Sequence, residues 1–137
     1  FTNWIMTNVE SLHVFFVPIK NSVKTINLTG LRTSENLETM WAMFSGCTKL
    51  TSIRGLNSTS SPNLVISNVN NIKNMFNDCS SLTGTLIINA NVTTSIHSCF
   101  TNAATNEGCD LVLTGSCSKL QELVNTASEN SNVRIGN

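Results

Sequence analysis

Charge is what this chain has least of. Only 12% of its 137 residues are charged, and 8 basic against 8 acidic side chains leave a formal net charge of zero. A chain without a positive footprint has nothing with which to neutralise phosphate backbones or anionic lipid, which sets nucleic-acid binding aside. Long apolar runs are missing as well: no stretch reaches the length needed to span a bilayer. No secretory leader is visible and the chain starts at Phe1 rather than Met. It therefore reads as an excised or processed piece of a longer protein, with any targeting segment outside it. The chemistry-bearing patterns are absent too. There is no CxxC, no Cys/His spacing suited to zinc, no GxGxxG and no P-loop. The eight carboxylates form no dense cluster of the kind that binds calcium or makes a glycosidase pair. No cofactor, metal or catalytic residue is expected.

What replaces charge is Asn, Ser and Thr, roughly two residues in five. Such a surface is neutral and rich in hydrogen-bonding groups, as on secreted and cell-surface proteins. The 40% hydrophobic share recurs in phase, so it predicts a buried core rather than disorder. Five cysteines are an odd count, which excludes a complete disulfide framework. Cys47 and Cys79 each follow a Phe by three residues and read as small inward fillers. Cys109 and Cys117 flank a predicted strand, and a pairing between them stays open.

One phrase returns along the chain. Asn8-Val9-Glu10-Ser11-Leu12-His13-Val14-Phe15-Phe16 is matched by residues 36–44 and 68–76, and a degraded copy covers 91–100. A last copy covers 117–124. The anchors Phe16, Phe44, Phe76, Phe100 and, by succession, Val124 are separated by 28, 32, 24 and 24 residues. Periods of this size predict stacked units. Within each copy the apolar positions fall at i, i+3, i+6 and i+7, which predicts a short α or 3-10 helix of about two turns. Polar residues ahead of it, Ser34, Ser67, Asn8, Asn36 and Asn68, suit N-caps. The expected fold is an α/β solenoid of about five short coils. A narrow parallel sheet would line one side and short helices the other, in one repeat domain over 1–137. Phe1, Trp4, Ile5 and Met6 are placed to cover one end. The Asn57–Asn63 stretch is a surface loop by composition.

Predicted strands are 23–28, 64–66, 111–113 and 133–135, together with the short β-branched runs that follow the second and third phrases and end at Ile53 and Ile88. Alternation turns Ile26, Leu28, Leu111, Leu113, Val133 and Ile135 inward. It leaves Thr25, Asn27, Asp110, Val112 and Arg134 outward, with Ile87 and Asn89 beside them. Trp41 joins this candidate ligand-binding set because Trp is favoured at binding hot spots. Trp41, His13, Lys73 and His97 share one slot of the phrase, a tolerance that predicts a solvent-side position. Cys99 replaces an inward Met, so beside His97 it reads as a buried structural thiol rather than an activated nucleophile.

The stretches Met43-Phe44-Ser45-Gly46-Cys47-Thr48-Lys49-Leu50 and Met75-Phe76-Asn77-Asp78-Cys79-Ser80-Ser81-Leu82, with the lead-in Ser67-Asn68-Val69-Asn70-Asn71-Ile72, resemble the BspA-type leucine-rich repeat. The resemblance covers residues 7 to 92 well and weakens beyond. It implies a leucine-rich-repeat fold and a bacterial surface or secreted setting. It also implies adhesion to host matrix or cell-surface proteins, or to other bacterial surface proteins, and it carries no catalytic residues. The expected function is thus a non-enzymatic recognition module. A structural spacer with no ligand of its own is the alternative reading.

Overall fold

The repeated phrases do not become helices, and the backbone explains why. The structure, a computed structural model, describes residues 4–6, 8–28, 31–33, 35–54, 68–88 and 95–136. In four successive phrases the residue two before the Phe is left-handed: Val14 (φ 49°), Ala42 (φ 52°), Asn74 (φ 55°) and Ser98 (φ 55°). A right-handed helix cannot run through such a residue. The segment coils into consecutive turns instead, and its N–H groups alternate in direction. Those of Met43, Ser45 and Cys47 donate to the carbonyl three residues back, at 3.1–3.2 Å. Those of Met40, Ala42, Phe44 and Gly46 cross to the carbonyls of Asn71, Lys73, Met75 and Asn77 in the next phrase, at 2.8–3.0 Å. The same crossing bonds lead from Leu12, Val14 and Phe16 into the second phrase, and from Ile72, Asn74, Phe76 and Asp78 into the fourth. Backbone groups buried beside the core are thereby satisfied without a helix.

The polar composition serves this arrangement. Ser11, Thr39, Asn71 and Ser95 form isolated parallel bridges with one another in series. The side chains of the first three accept the N–H two residues on, from His13 (3.2 Å), Trp41 (3.2 Å) and Lys73 (3.1 Å). Only a short side chain with an oxygen closes that turn. At the far end side chains take over from carbonyls. Phe100 N–H donates to Thr126 Oγ1 at 2.9 Å and Asn102 N–H to Ser128 Oγ at 3.0 Å, which terminates the series of crossing bonds.

Seven strands of three or four residues complete the described chain: β1 Trp4–Met6, β2 Thr25–Asn27, β3 Leu31–Thr33, β4 Ser52–Arg54, β5 Gly84–Ile87, β6 Leu111–Thr114 and β7 Val133–Ile135. All pair in parallel, β1 with β3, β2 with β4, and β5 with β6 with β7. Alternation sorts their side chains, with Ile26 buried between exposed Thr25 and Asn27, and Leu111 and Leu113 buried beside half-buried Val112 and Thr114.

The α/β solenoid of five coils expected from the repeat is therefore corrected. The described strands form three separate short sheets, not one narrow sheet. The described helical content is one 3-10 turn at Val17–Ile19 and the five-residue α1, Leu120–Val124, not a layer of short helices. The left-handed residues forbid the helices. Between the second and third sheets, among the described residues, a single backbone bond passes beside the strands, from Thr83 N–H to Thr51 O (3.1 Å), and it is not continued as a ladder. Three finer expectations change as well. Leu123, not Val124, is the fully buried residue of the last phrase. Ile135 is 38% exposed, because among the described residues β7 is the edge strand of its sheet. Of the predicted end cover, Ile5 is 64% exposed and Met6 packs on the core, while Phe1 and the Trp4 side chain lie outside what the structure describes. The predicted strand at 64–66 and the 57–63 loop lie outside the described residues, as do Phe1, Ser34 and Ser67.

The core is built on the phrase anchors. The rings of Phe16, Phe44, Phe76 and Phe100 lie parallel in one column, with centroids 5.2, 5.5 and 5.0 Å apart and interplanar angles of 8°, 9° and 13°. Phe15 packs edge-on against Phe16 at 5.0 Å and 84°. Leu37, Met43, Cys47, Leu50, Leu82, Cys99 and Leu113 pack around it, and all are essentially inaccessible. This leaves two surfaces for function, the outward sides of the strands and the rim of turns that follows each Phe.

Candidate functional site

The third sheet gathers the largest share of the predicted binding residues. In-register pairing sets Thr85, Val112 and Arg134 in one row and Ile87 beside Thr114 in the next. Ile87 is 39% exposed on this face. Asp110, directly before β6, takes Arg134 in a two-pronged grip, with Nε to Oδ1 and Nη2 to Oδ2 both at 2.9 Å. Thr83 fixes the backbone beneath: its hydroxyl donates to Asp110 O (3.2 Å) and accepts Asp110 N–H (3.0 Å). The two bonds set the position of the guanidinium relative to β6.

The electrostatics follow from that grip. Hydrogen bonding from Arg134 holds the Asp110 carboxyl below the usual carboxylate range, and its positive charge acts in the same direction. A depressed carboxyl stabilises the fold above its unfolded pKa, and that contribution is lost as pH falls through the folded value. Both partners are solvent-accessible, so the net contribution is small. Replacing Arg134 by Gln is expected to raise the Asp110 pKa, read by carboxyl carbon NMR titration, with little change in melting temperature at neutral pH. An unmoved Asp110 titration would mean that the pair does not persist in solution.

The other predicted residues fall elsewhere. Thr25 and Asn27 are exposed on the second sheet, where with Ile26, Ser52 and Arg54 they line a shallow depression of about 250 Å³. Trp41 belongs to a turn, not to a strand; it is 40% exposed and stacks on His13, with ring centroids 5.7 Å apart. The shared slot does face solvent, His13, Trp41 and His97 being exposed and Lys73 half-buried. Asn89 lies outside the described residues. The structure thus brings Ile87, Asp110, Val112 and Arg134 together and leaves Thr25 with Asn27, and Trp41, as separate places.

Four of the five thiols are buried, Cys109 being half-buried. All five cysteines are free, so Cys109 and Cys117 are not paired. Burial pushes the Cys47 thiol up to about 11, against a smaller lowering by the Lys20 ammonium. Burial also raises Cys79 and Cys99, and Cys79 donates its S–H to Phe44 O at 3.1 Å. Such thiols are fillers, not nucleophiles. Among the described residues no group of three or more His, Cys, Asp or Glu side chains could hold a metal ion.

Reasoning from the sequence missed one region. The turns after each Phe meet along a polar groove of about 360 Å³ that includes Lys20, Gly46, Thr48, Asp78, Ser80 and Asn102. A trace of it is in the sequence: Gly46, Asp78 and Asn102 stand at the same place, two residues after a Phe, and are all types that accept a left-handed backbone. Among the described residues no helix is long and apolar enough to cross a membrane. No family model, curated protein or solved structure matches the chain.

Proposed function

We propose that this chain is a non-enzymatic recognition and adhesion module of a bacterial surface or secreted protein, binding protein or cell-surface ligands through the outward side of β5, β6 and β7. The observation that carries the reading is the combination of exposed Ile87, half-buried Val112 and an Arg134 locked by Asp110 on one rigid face. Interfaces favour an apolar contact beside a positioned arginine, because each side chain loses little freedom on binding. Two features of the sequence support the setting: its neutral surface, dominated by Asn, Ser and Thr, and its resemblance to the BspA-type repeat.

The test is binding of the purified chain to immobilised host matrix proteins and to whole bacterial cells, with an Ile87→Asp, Arg134→Ala double variant in parallel. The double variant is expected to bind about tenfold or more weakly, the loss typical of interface anchors, with its thermal unfolding nearly unshifted. Undiminished binding by the variant would remove the sheet face from the reading. Failure of the unmodified chain to bind any of these surfaces would leave the spacer reading in its place.

A further inference from the structure

The groove along the turns has the chemistry of a binding site and lies apart from the face proposed above. Its three key positions are held by the backbone. Gly46 N–H donates to Asn77 O (2.8 Å), Asp78 N–H to Thr101 O (2.9 Å) and Asn102 N–H to Ser128 Oγ (3.0 Å). All three residues are left-handed, with φ of 75°, 59° and 55°. They repeat with the spacing of the phrases, whose rings are 5.0–5.5 Å apart. Gly46 leaves room that Lys20 occupies: a Cβ at Gly46 would meet Lys20 Cδ at 3.0 Å and Nζ at 3.7 Å. The lysine stem therefore lies across the groove floor and brings its ammonium into it.

The polar groups are only partly used. Asn102 Nδ2 donates to Asp78 Oδ1 at 2.9 Å, and no donor among the described residues reaches Oδ2. No carboxylate among the described residues pairs with Lys20. The groove thus holds an open acceptor, an open cationic donor and a lining of hydroxyl and amide groups, with no apolar side chain. One acidic and one basic group suit a ligand of no net charge that donates and accepts at closely spaced points, and vicinal hydroxyls do both. The repeat of the three positions is comparable to one unit of a linear glycan. We propose that this groove binds a linear neutral oligosaccharide, with successive sugar hydroxyls donating to Asp78 Oδ2 and accepting from Lys20 Nζ. The site is open and has no aromatic floor, so binding is weak for a single chain and useful where many copies act together.

The experiment is an amide NMR titration of the chain with cellohexaose and, separately, with the β-1,4-linked hexamer of N-acetylglucosamine. The expected result is a saturable shift of the Gly46, Asp78 and Asn102 amides with at least one of these probes. Lys20→Met, which keeps the stem, and Asp78→Asn, which keeps a residue that accepts the left-handed backbone, should each weaken binding about tenfold or more. Neither change is expected to disturb the fold, which the spectra themselves report. The proposal is overturned if neither saccharide produces a saturable shift, or if the shifts fall on the sheet face at Thr85 and Arg134. It is equally overturned if both variants bind unchanged, or if an uncharged Ser/Asn peptide shifts the groove amides as strongly as the saccharides do.

Discussion

Phe76→Ala should unfold this protein or bring it to the edge of unfolding, with a loss of about 3–5 kcal/mol in urea denaturation. The ring is fully buried and has a parallel neighbour on both sides, Phe44 at 5.5 Å and Phe100 at 5.0 Å. Truncation removes the transfer energy of the ring, leaves a void between two rings that backbone bonds hold at a set spacing, and deletes two aromatic contacts of about 0.5–1.5 kcal/mol each. Domains of this size are stable by only about 5–15 kcal/mol in all, so one such change takes a large share. A loss under about 1 kcal/mol at Phe76 would refute the column as the organising element of the core.

Asn74→Pro is expected to be as damaging by a different route. Asn74 has φ 55°, whereas proline is confined near −65°, and its N–H donates across to His97 O at 3.0 Å. The substitution deletes a crossing bond and demands a backbone that the ring cannot adopt, at about 3 kcal/mol or more. Asn74→Gly serves as the control. It keeps the N–H and accepts the left-handed region freely, so its stability should stay within about 1 kcal/mol of the parent. The gap between the denaturation midpoints of the two variants measures the left-handed conformation and the crossing bond together at one half-buried position. A proline variant as stable as the glycine one would mean that the turn geometry of the phrase is dispensable.

These two predictions mark where the sequence was readable and where it was not. The periodicity of the apolar positions identified Phe16, Phe44, Phe76 and Phe100 as equivalent, because a position that must be buried in every copy tolerates few residue types. It placed Cys47, Cys79 and Cys99 inside for the same reason. Strand alternation assigned Thr25, Asn27 and Arg134 outward and Ile26, Leu111 and Leu113 inward. It failed at Ile135, since alternation states which side a residue faces but not whether anything lies there to cover it.

The helical reading of the phrase failed for a definite reason. Apolar residues at i, i+3, i+6 and i+7 suit one side of a helix, and equally suit a chain of turns with a similar advance. The residues that decide between the two are Val14, Ala42, Asn74 and Ser98, all left-handed. Valine and alanine have no local preference for that region, so no propensity announced it. What holds them there is the crossing bonds between phrases, which form only when the phrases already lie side by side. By contrast Gly46, Asp78 and Asn102 could have been flagged, because their residue types favour a left-handed backbone at a repeated position.

The candidate sites divide along the same line. Composition and spacing alone established an uncharged, hydrogen-bonding surface, a repeated apolar frame and the identity of the ring column, because each follows from what a residue's neighbours a fixed distance along the chain require. The grip of Arg134 on Asp110 and the groove that joins Lys20, Gly46, Asp78 and Asn102 depend on residues from separate phrases meeting in space. So does the breakup of the strands into three sheets. Contacts of that kind are set by packing and by bonds between distant segments, terms that no local window of residues contains.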